Sequence, residues 1–172
     1  NRTKNSAMHV CRALDVNSWA PSTLRGPLLW CVLLWGAIPI SEVNGQAGLP
    51  PFMNYGAARE QLIREVLIPG GVTDERVIES IRHTARHEFV PLNERNEAYY
   101  DRALPIGAKQ TISSPLIVSI MTQELRTAPD KKVLEIGTGS GFQAAVLSPL
   151  VKEVYSIEIV PELGAHARKV LD

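Results

Sequence analysis

The sequence predicts an α/β fold built on a parallel sheet, and three observations carry that expectation. An apolar, strand-like run, Val133-Leu134-Glu135-Ile136, leads at once into glycines at 137, 139 and 141. A helix-length segment, Phe142 to Leu150, separates it from a second run rich in β-branched and aromatic residues, Glu153 to Glu158. A further helical pattern follows from Pro161 to Leu171. Strand, glycine turn, helix, strand and helix in that order describe a parallel βαβ unit. A length of 172 residues suits one ordinary domain.

In chain order, the first 47 residues stand apart. Arg2, Lys4, Arg12 and Arg25 outnumber Asp15 and Glu42 there, although the whole chain is neutral, with 18 basic and 18 acidic residues. That neutrality asks for neither a nucleic-acid backbone nor an anionic membrane as partner. From Pro27 to Ile40 the run PLLWCVLLWGAIPI carries no charge. It is shorter than the roughly 20 residues that a bilayer span needs. Basic residues before it and Gly45-Gln46-Ala47 after it fit an export signal cut after Ala47, which would send the protein to the periplasm or cell envelope. A short anchor, or an apolar segment from a mis-assigned start, stays open, since the chain begins at Asn1 and Met8 is internal. Both cysteines, Cys11 and Cys31, fall in this leader. Its removal would leave no thiol for a disulfide, a metal site or a nucleophile. Residues 48–54 read as a Pro-containing linker, and 55–172 as the folded part.

Ala58, Leu62 and Val66 recur at helical spacing within 57–67, and Pro69-Gly70-Gly71 stops that helix. Thr73 or Asp74 caps a second helix with Val77, Ile78 and Ile81 on one face, and the segment from Arg86 to Pro91 closes it. Asn93 to Arg102 reads as a short helix and turn. Ala103 to Pro115 has two prolines, a glycine and hydroxyls, and reads as an extended loop or hairpin. Pro115, suited to a first helical turn, opens a helix through Ile117, Ile120, Met121 and Leu125.

The glycine turn carries the chemistry. Glycines let the backbone turn tightly and let a ligand approach where a Cβ would clash. Glu158, ending the second strand, can accept hydrogen bonds from both ribose hydroxyls of an adenosine. A dinucleotide site usually spaces its glycines G-x-G-x-x-G to seat a pyrophosphate. Here the spacing is G-x-G-x-G, and Glu135, two residues upstream, would repel a pyrophosphate. An acid there suits a ligand with an ammonium and a sulfonium, which describes S-adenosylmethionine. A dinucleotide, or a turn that only packs helix on strand, stays as the alternative. His83 and His87, four apart, lack the third ligand or the glutamate of an HExxH site, so a structural role for His87 is expected over metal binding. Ser113 lacks the G-x-S-x-G elbow of a hydrolase, and it can also be read as a turn serine bonding its own backbone.

Four stretches resemble the protein-L-isoaspartate O-methyltransferase family. They are Ala103-Leu-Pro-Ile-Gly-Ala-Lys-Gln-Thr-Ile-Ser-Ser-Pro115, Val133 to Leu147, Arg86-His-Glu-Phe-Val-Pro91, and Ser156-Ile-Glu158 with Pro161-Glu-Leu163. The resemblance runs from about Tyr55 to the last residue. It implies a Rossmann-like class I methyltransferase fold with an N-terminal helical extension. It also implies S-adenosylmethionine as cofactor and isoaspartyl proteins and peptides as substrates, acted on by a monomer without metal or nucleic acid. Carried over by position, the active-site serine falls on Ser113, and Gln110, Thr111 and Ile112 line the substrate loop. Cofactor contacts fall on Glu135, Gly137, Thr138, Gly139, Ser140, Gly141, Gln143 and Glu158. The departures are Ala85 for Pro, Lys109 where Gly is common, Ser114 where Gln is common, and Leu116 where Tyr or His is usual. The implied reaction methylates the α-carboxylate of an L-isoaspartyl residue, and D-aspartyl more weakly, as the first step of repair.

The chain stops after the second strand–helix unit. Two parallel strands cannot bury helices on both faces, so an exposed apolar edge is expected. A fragment of weak activity, a non-catalytic remnant, or another adenosine-cofactor Rossmann protein are the competing readings.

Overall fold

The computed structural model describes residues 12–13 and 54–172. The leader and linker readings therefore lie almost wholly outside the described residues.

Helix α1 (Tyr55–Leu62) starts where the Asn54 side chain accepts the Ala57 N–H at 3.1 Å. Its course continues as a π-helical turn, Ile63–Leu67, before the Pro69-Gly70-Gly71 break. Helix α2 (Glu75–His83) is capped by Asp74, whose carboxylate accepts the Arg76 N–H at 2.9 Å. Val77, Ile78 and Ile81 are buried along its apolar face. This helix ends earlier than expected. Thr84 turns its hydroxyl back onto the Ser80 carbonyl at 2.8 Å and leaves the helix in an extended conformation. The segment from Arg86 then forms a separate 3₁₀ turn, Arg86–Phe89.

Leu104–Gly107 (β2) and Gln110–Ile112 (β3) make an antiparallel hairpin with an irregularity between Pro105 and Gly107. Its two end residues, Leu104 and Ile112, are paired and buried. The next helix, α3 (Pro115–Glu124), has proline in its first turn. Its buried face differs from the apolar pattern in the sequence. Val118, Ser119 and Thr122 point inward, while Ile117, Met121 and Leu125 stay about half exposed. Ser119 and Thr122 can be buried because their hydroxyls bond the carbonyls of Pro115 and Val118, each at 2.8 Å.

Strands β4 (Lys132–Ile136) and β5 (Glu153–Ile157) run parallel, with Glu135 opposite Ser156. Helices α4 (Phe142–Leu147) and α5 (Pro161–Leu171) follow them. A two-residue strand, β1 (Arg12–Ala13), pairs in parallel with the other side of β5, giving the order β1-β5-β4. The βαβ unit is thus as the sequence predicts. One core of Leu62, Ile63, Leu67, Val77, Phe142 and Leu147, with their neighbours, joins the N-terminal helices to α4. The expected apolar edge is present: among the described residues nothing pairs with the outer side of β4, and Ile136 and Ile159 are 81% and 86% exposed.

Candidate active site

The sequence places the glycine turn between the C-terminal end of β4 and α4, and a cleft of ≈ 580 Å³ opens there. One wall is the turn itself, Gly137 to Ser140, with Glu135 below it. The facing wall comes from Thr111, Ile112 and Ser113 at the end of the hairpin. Met121 and Leu125 of α3 supply apolar lining between them. Two residues of the α3 stripe that misses the core, Met121 and Leu125, thereby line the cleft.

The turn's geometry depends on its glycines at two points. Gly141 caps α4 with φ +89°, and a Cβ there would sit 3.2 Å from Leu171 of α5. Gly139, at φ +55°, passes under the hairpin, where its Cβ would lie 3.4 Å from Ile106. Both positions combine a left-handed backbone with a close neighbour, which glycine alone accepts without strain.

Two carboxylates flank the turn in different roles. Glu158 reaches back from the end of β5, accepting the Gly139 N–H at 2.7 Å and the Val160 N–H at 2.9 Å. It therefore holds the loop in shape. Glu135 is half-buried and accepts from the Ser156 hydroxyl, which also bonds Thr138. Burial pushes the Glu135 carboxyl up to about 7; the nearby Glu158 charge adds to the rise and the Ser156 hydrogen bond opposes it.

Gln143 on α4 donates to the Thr122 hydroxyl at 2.8 Å, while its side-chain oxygen is buried without a partner among the described residues and borders the cleft. Ser113 is exposed, and its hydroxyl has no partner among the described residues. The amide of Leu116 is taken instead by Asp101, at 2.9 Å.

Of the residues singled out from sequence, Thr111, Ile112, Ser113, Glu135, Gly137, Thr138, Gly139, Ser140 and Gln143 border the one cleft. Gln110, Gly141 and Glu158 do not line it. Gln110 sits exposed at the start of β3, Gly141 faces α5, and Glu158 holds the loop through the Gly139 amide. Sequence reasoning assigned no role to Ser156 or to the Met121–Leu125 wall. The signal for the wall was the i, i+4 spacing; for Ser156 it was only its position two before Glu158.

The two histidines do not share a helix face. His83 bonds Glu79 at 2.7 Å on the exposed side of α2. His87 stacks on Tyr55, with ring centres 3.8 Å apart, and bonds the Tyr99 hydroxyl at 2.8 Å. Burial lowers its pKa. These contacts describe a packing residue. Beneath the site, Arg86 is fully buried over the Phe142 ring, 5.0 Å from its centre, and donates to the Arg102 carbonyl at 3.2 Å. It links the segment before the hairpin to the first residue of α4.

Comparison with known proteins bears on the family and the fold. The family model for protein-L-isoaspartate(D-aspartate) O-methyltransferase matches residues 57–172. A protein-L-isoaspartate O-methyltransferase from Synechococcus sp. is 49% identical over 134 residues, covering 77% of this chain and 54% of its own. The Opitutus terrae enzyme of the same name is 53% identical over 113 residues, covering 66% and 48%. The chain thus spans about half the length of the curated relatives it matches. Among solved structures, a protein-L-isoaspartate O-methyltransferase superposes with a TM-score of 0.57 at 28% identity, over 66% of this chain and 38% of that one. A Plasmodium falciparum protein described in the same terms, solved in complex with S-adenosyl-L-homocysteine, gives 0.56 at 19% identity over 70% and 56%, a likeness of fold.

Proposed function

Because the chain belongs to the protein-L-isoaspartate(D-aspartate) O-methyltransferase family, we propose that it forms the cofactor-binding part of an enzyme that methylates the α-carboxylate of L-isoaspartyl residues in damaged proteins. S-adenosylmethionine is the methyl donor, and the substrates are isoaspartyl proteins and peptides. Residues 55–172 are the portion of the catalytic domain that supplies these groups.

The observation that supports this best is the single cleft with Ser113 on one wall and Glu135 with the glycine turn on the other. Glu135 attracts the ammonium and sulfonium of the cofactor. Glu158 offers its remaining lone pairs to the ribose hydroxyls, and Gly137 to Gly141 give the ligand close approach to backbone. Gln143 has an oxygen, unpartnered among the described residues, for a ligand donor. Gln110, Thr111 and Ile112 seat the peptide.

The chemistry asks little of the protein beyond placement. A substrate carboxylate of ordinary pKa is ionised at pH 7 and needs no general base. Its oxygen attacks the methyl carbon, the carbon–sulfur bond breaks with its electrons going to sulfur, and S-adenosyl-L-homocysteine leaves. Ser113 donates a hydrogen bond that orients the carboxylate in line with that bond. Anion and cation neutralise each other along the path, so the apolar wall of Met121 and Leu125 helps by excluding water.

Tritium transfer from labelled S-adenosylmethionine to an isoaspartyl peptide tests the reading, with the normal aspartyl peptide as control. Transfer is expected to the first peptide only, and Ser113→Ala is expected to lower kcat/KM by about 10- to 100-fold through lost alignment. Transfer to nucleic acid or a small molecule in place of the isoaspartyl peptide would sink it.

A further inference from the structure

We propose that Ser156 is a positioning residue for cofactor capture, its hydroxyl holding Glu135 in the ionised form that meets the ligand. The proposal rests on reading the cleft as an S-adenosylmethionine site. Ser156 is 2% exposed at the centre of the sheet, and the parallel register sets it directly opposite Glu135. Its oxygen bonds both the Glu135 carboxylate and the Thr138 hydroxyl of the glycine turn.

A serine has one O–H to give. Toward an ionised Glu135 it must donate there, and Thr138 then donates to Ser156. Toward a protonated Glu135 the acid donates, and the Ser156 proton turns to Thr138. The three groups form a chain with two polarities, and the charge on Glu135 selects between them. Only the ionised state matches a cationic ligand.

The charged groups around Glu135 leave this choice to Ser156. Glu158, past β5, carries the same sign and works against a second anion. Glu124 of α3 borders the same cleft and is also acidic. On β4 itself, Lys132 is engaged at the far end by Glu153 of β5, at 3.0 Å. Helix α4 carries no charged side chain, and neither do the β3 residues Gln110 to Ile112. Among the described residues no cation pairs with Glu135, so the Ser156 hydrogen bond is the contact that favours its charged form. With burial and the Ser156 hydrogen bond acting together that carboxyl lies at about 7, close to balance at neutral pH, so loss of the hydrogen bond shifts the population toward the protonated form.

The test is calorimetric titration of the intact protein with S-adenosyl-L-homocysteine, whose ammonium stays charged across the range, from acid to mildly alkaline pH in two buffers of different ionisation enthalpy. Wild-type affinity is expected to rise about tenfold per pH unit on the acid side and flatten above neutrality, with a proton released on binding below the break. Ser156→Ala moves the break upward: binding is about tenfold weaker near neutral pH and approaches wild type in alkali. Ser156→Thr, which keeps the hydroxyl, restores the wild-type profile. If Ser156→Ala does not fold, Ser156→Cys, similar in size and a weaker donor, is expected to shift the break the same way by less. A loss equal at every pH in the variant, or a wild-type affinity flat in pH, overturns the proposal while leaving the cofactor site intact. No binding at any pH overturns the site reading and the proposal with it.

Discussion

The Glu135 carboxyl titrates near 7 in the folded protein, against 4.5 for an unperturbed glutamate, because burial disfavours its charge. Between those values the native state holds a proton that the unfolded chain has lost. Stability therefore falls as pH rises through that window, by at most about 1.4 kcal/mol per pH unit from this group. Glu135→Gln removes the titration. Its melting temperature should exceed that of the wild type at pH 7.5 and match it near pH 4.5, while S-adenosyl-L-homocysteine binding should weaken by about 100-fold through loss of a charge-assisted contact. Equal melting curves at both pH values would show that Glu135 does not carry the strain. The position of this acid was legible in sequence, because it is fixed by its distance from the first glycine. Its Ser156 partner was not, since that pairing depends on the register of two strands separated by a helix.

At the scale of elements, the hairpin turn departs from what its residues prefer. Gly107, Ala108 and Lys109 all take positive φ, at +92°, +48° and +58°. Lys109, where the family commonly has glycine, holds a left-handed conformation that costs an L-residue roughly 1 kcal/mol. Lys109→Gly should recover that cost less the roughly 0.5–1 kcal/mol of added chain entropy, raising the melting temperature by at most about 2 °C. A lower melt would mean that the lysine side chain offsets the strain. The hairpin itself was readable from its prolines, glycine and hydroxyls, since those residues reject a helix. The orientation of α3 was not. Its most apolar stripe, Ile117, Met121 and Leu125, would ordinarily face the core. Ser119 and Thr122 take that place by bonding their own helix carbonyls, a local satisfaction that hydrophobic periodicity does not register. The end of α2 was misjudged for a similar reason: Thr84 closes it with its own hydroxyl, well before Pro91.

At the scale of the whole molecule, the order β1-β5-β4 leaves the outer side of β4 without a strand partner among the described residues, and Ile136 at the end of that strand is exposed. Unpaired edge backbone next to apolar side chains promotes association between copies. Ile136→Lys should raise the monomer fraction at high concentration, seen by sedimentation, with a stability change within about 0.5 kcal/mol because the side chain is already in solvent. Self-association equal to that of the wild type would place the sticky surface elsewhere. This exposure was foreseeable from counting strands. The bond from Gly139 to Glu158 was not foreseeable, and it joins the turn after β4 to the start of α5. Its consequence concerns timing. An amide held by a carboxylate exchanges its hydrogen with solvent only when the turn opens, so Gly139 reports the opening of both βα units at once. Deuterium uptake there should be slow before any ligand arrives and slower still after.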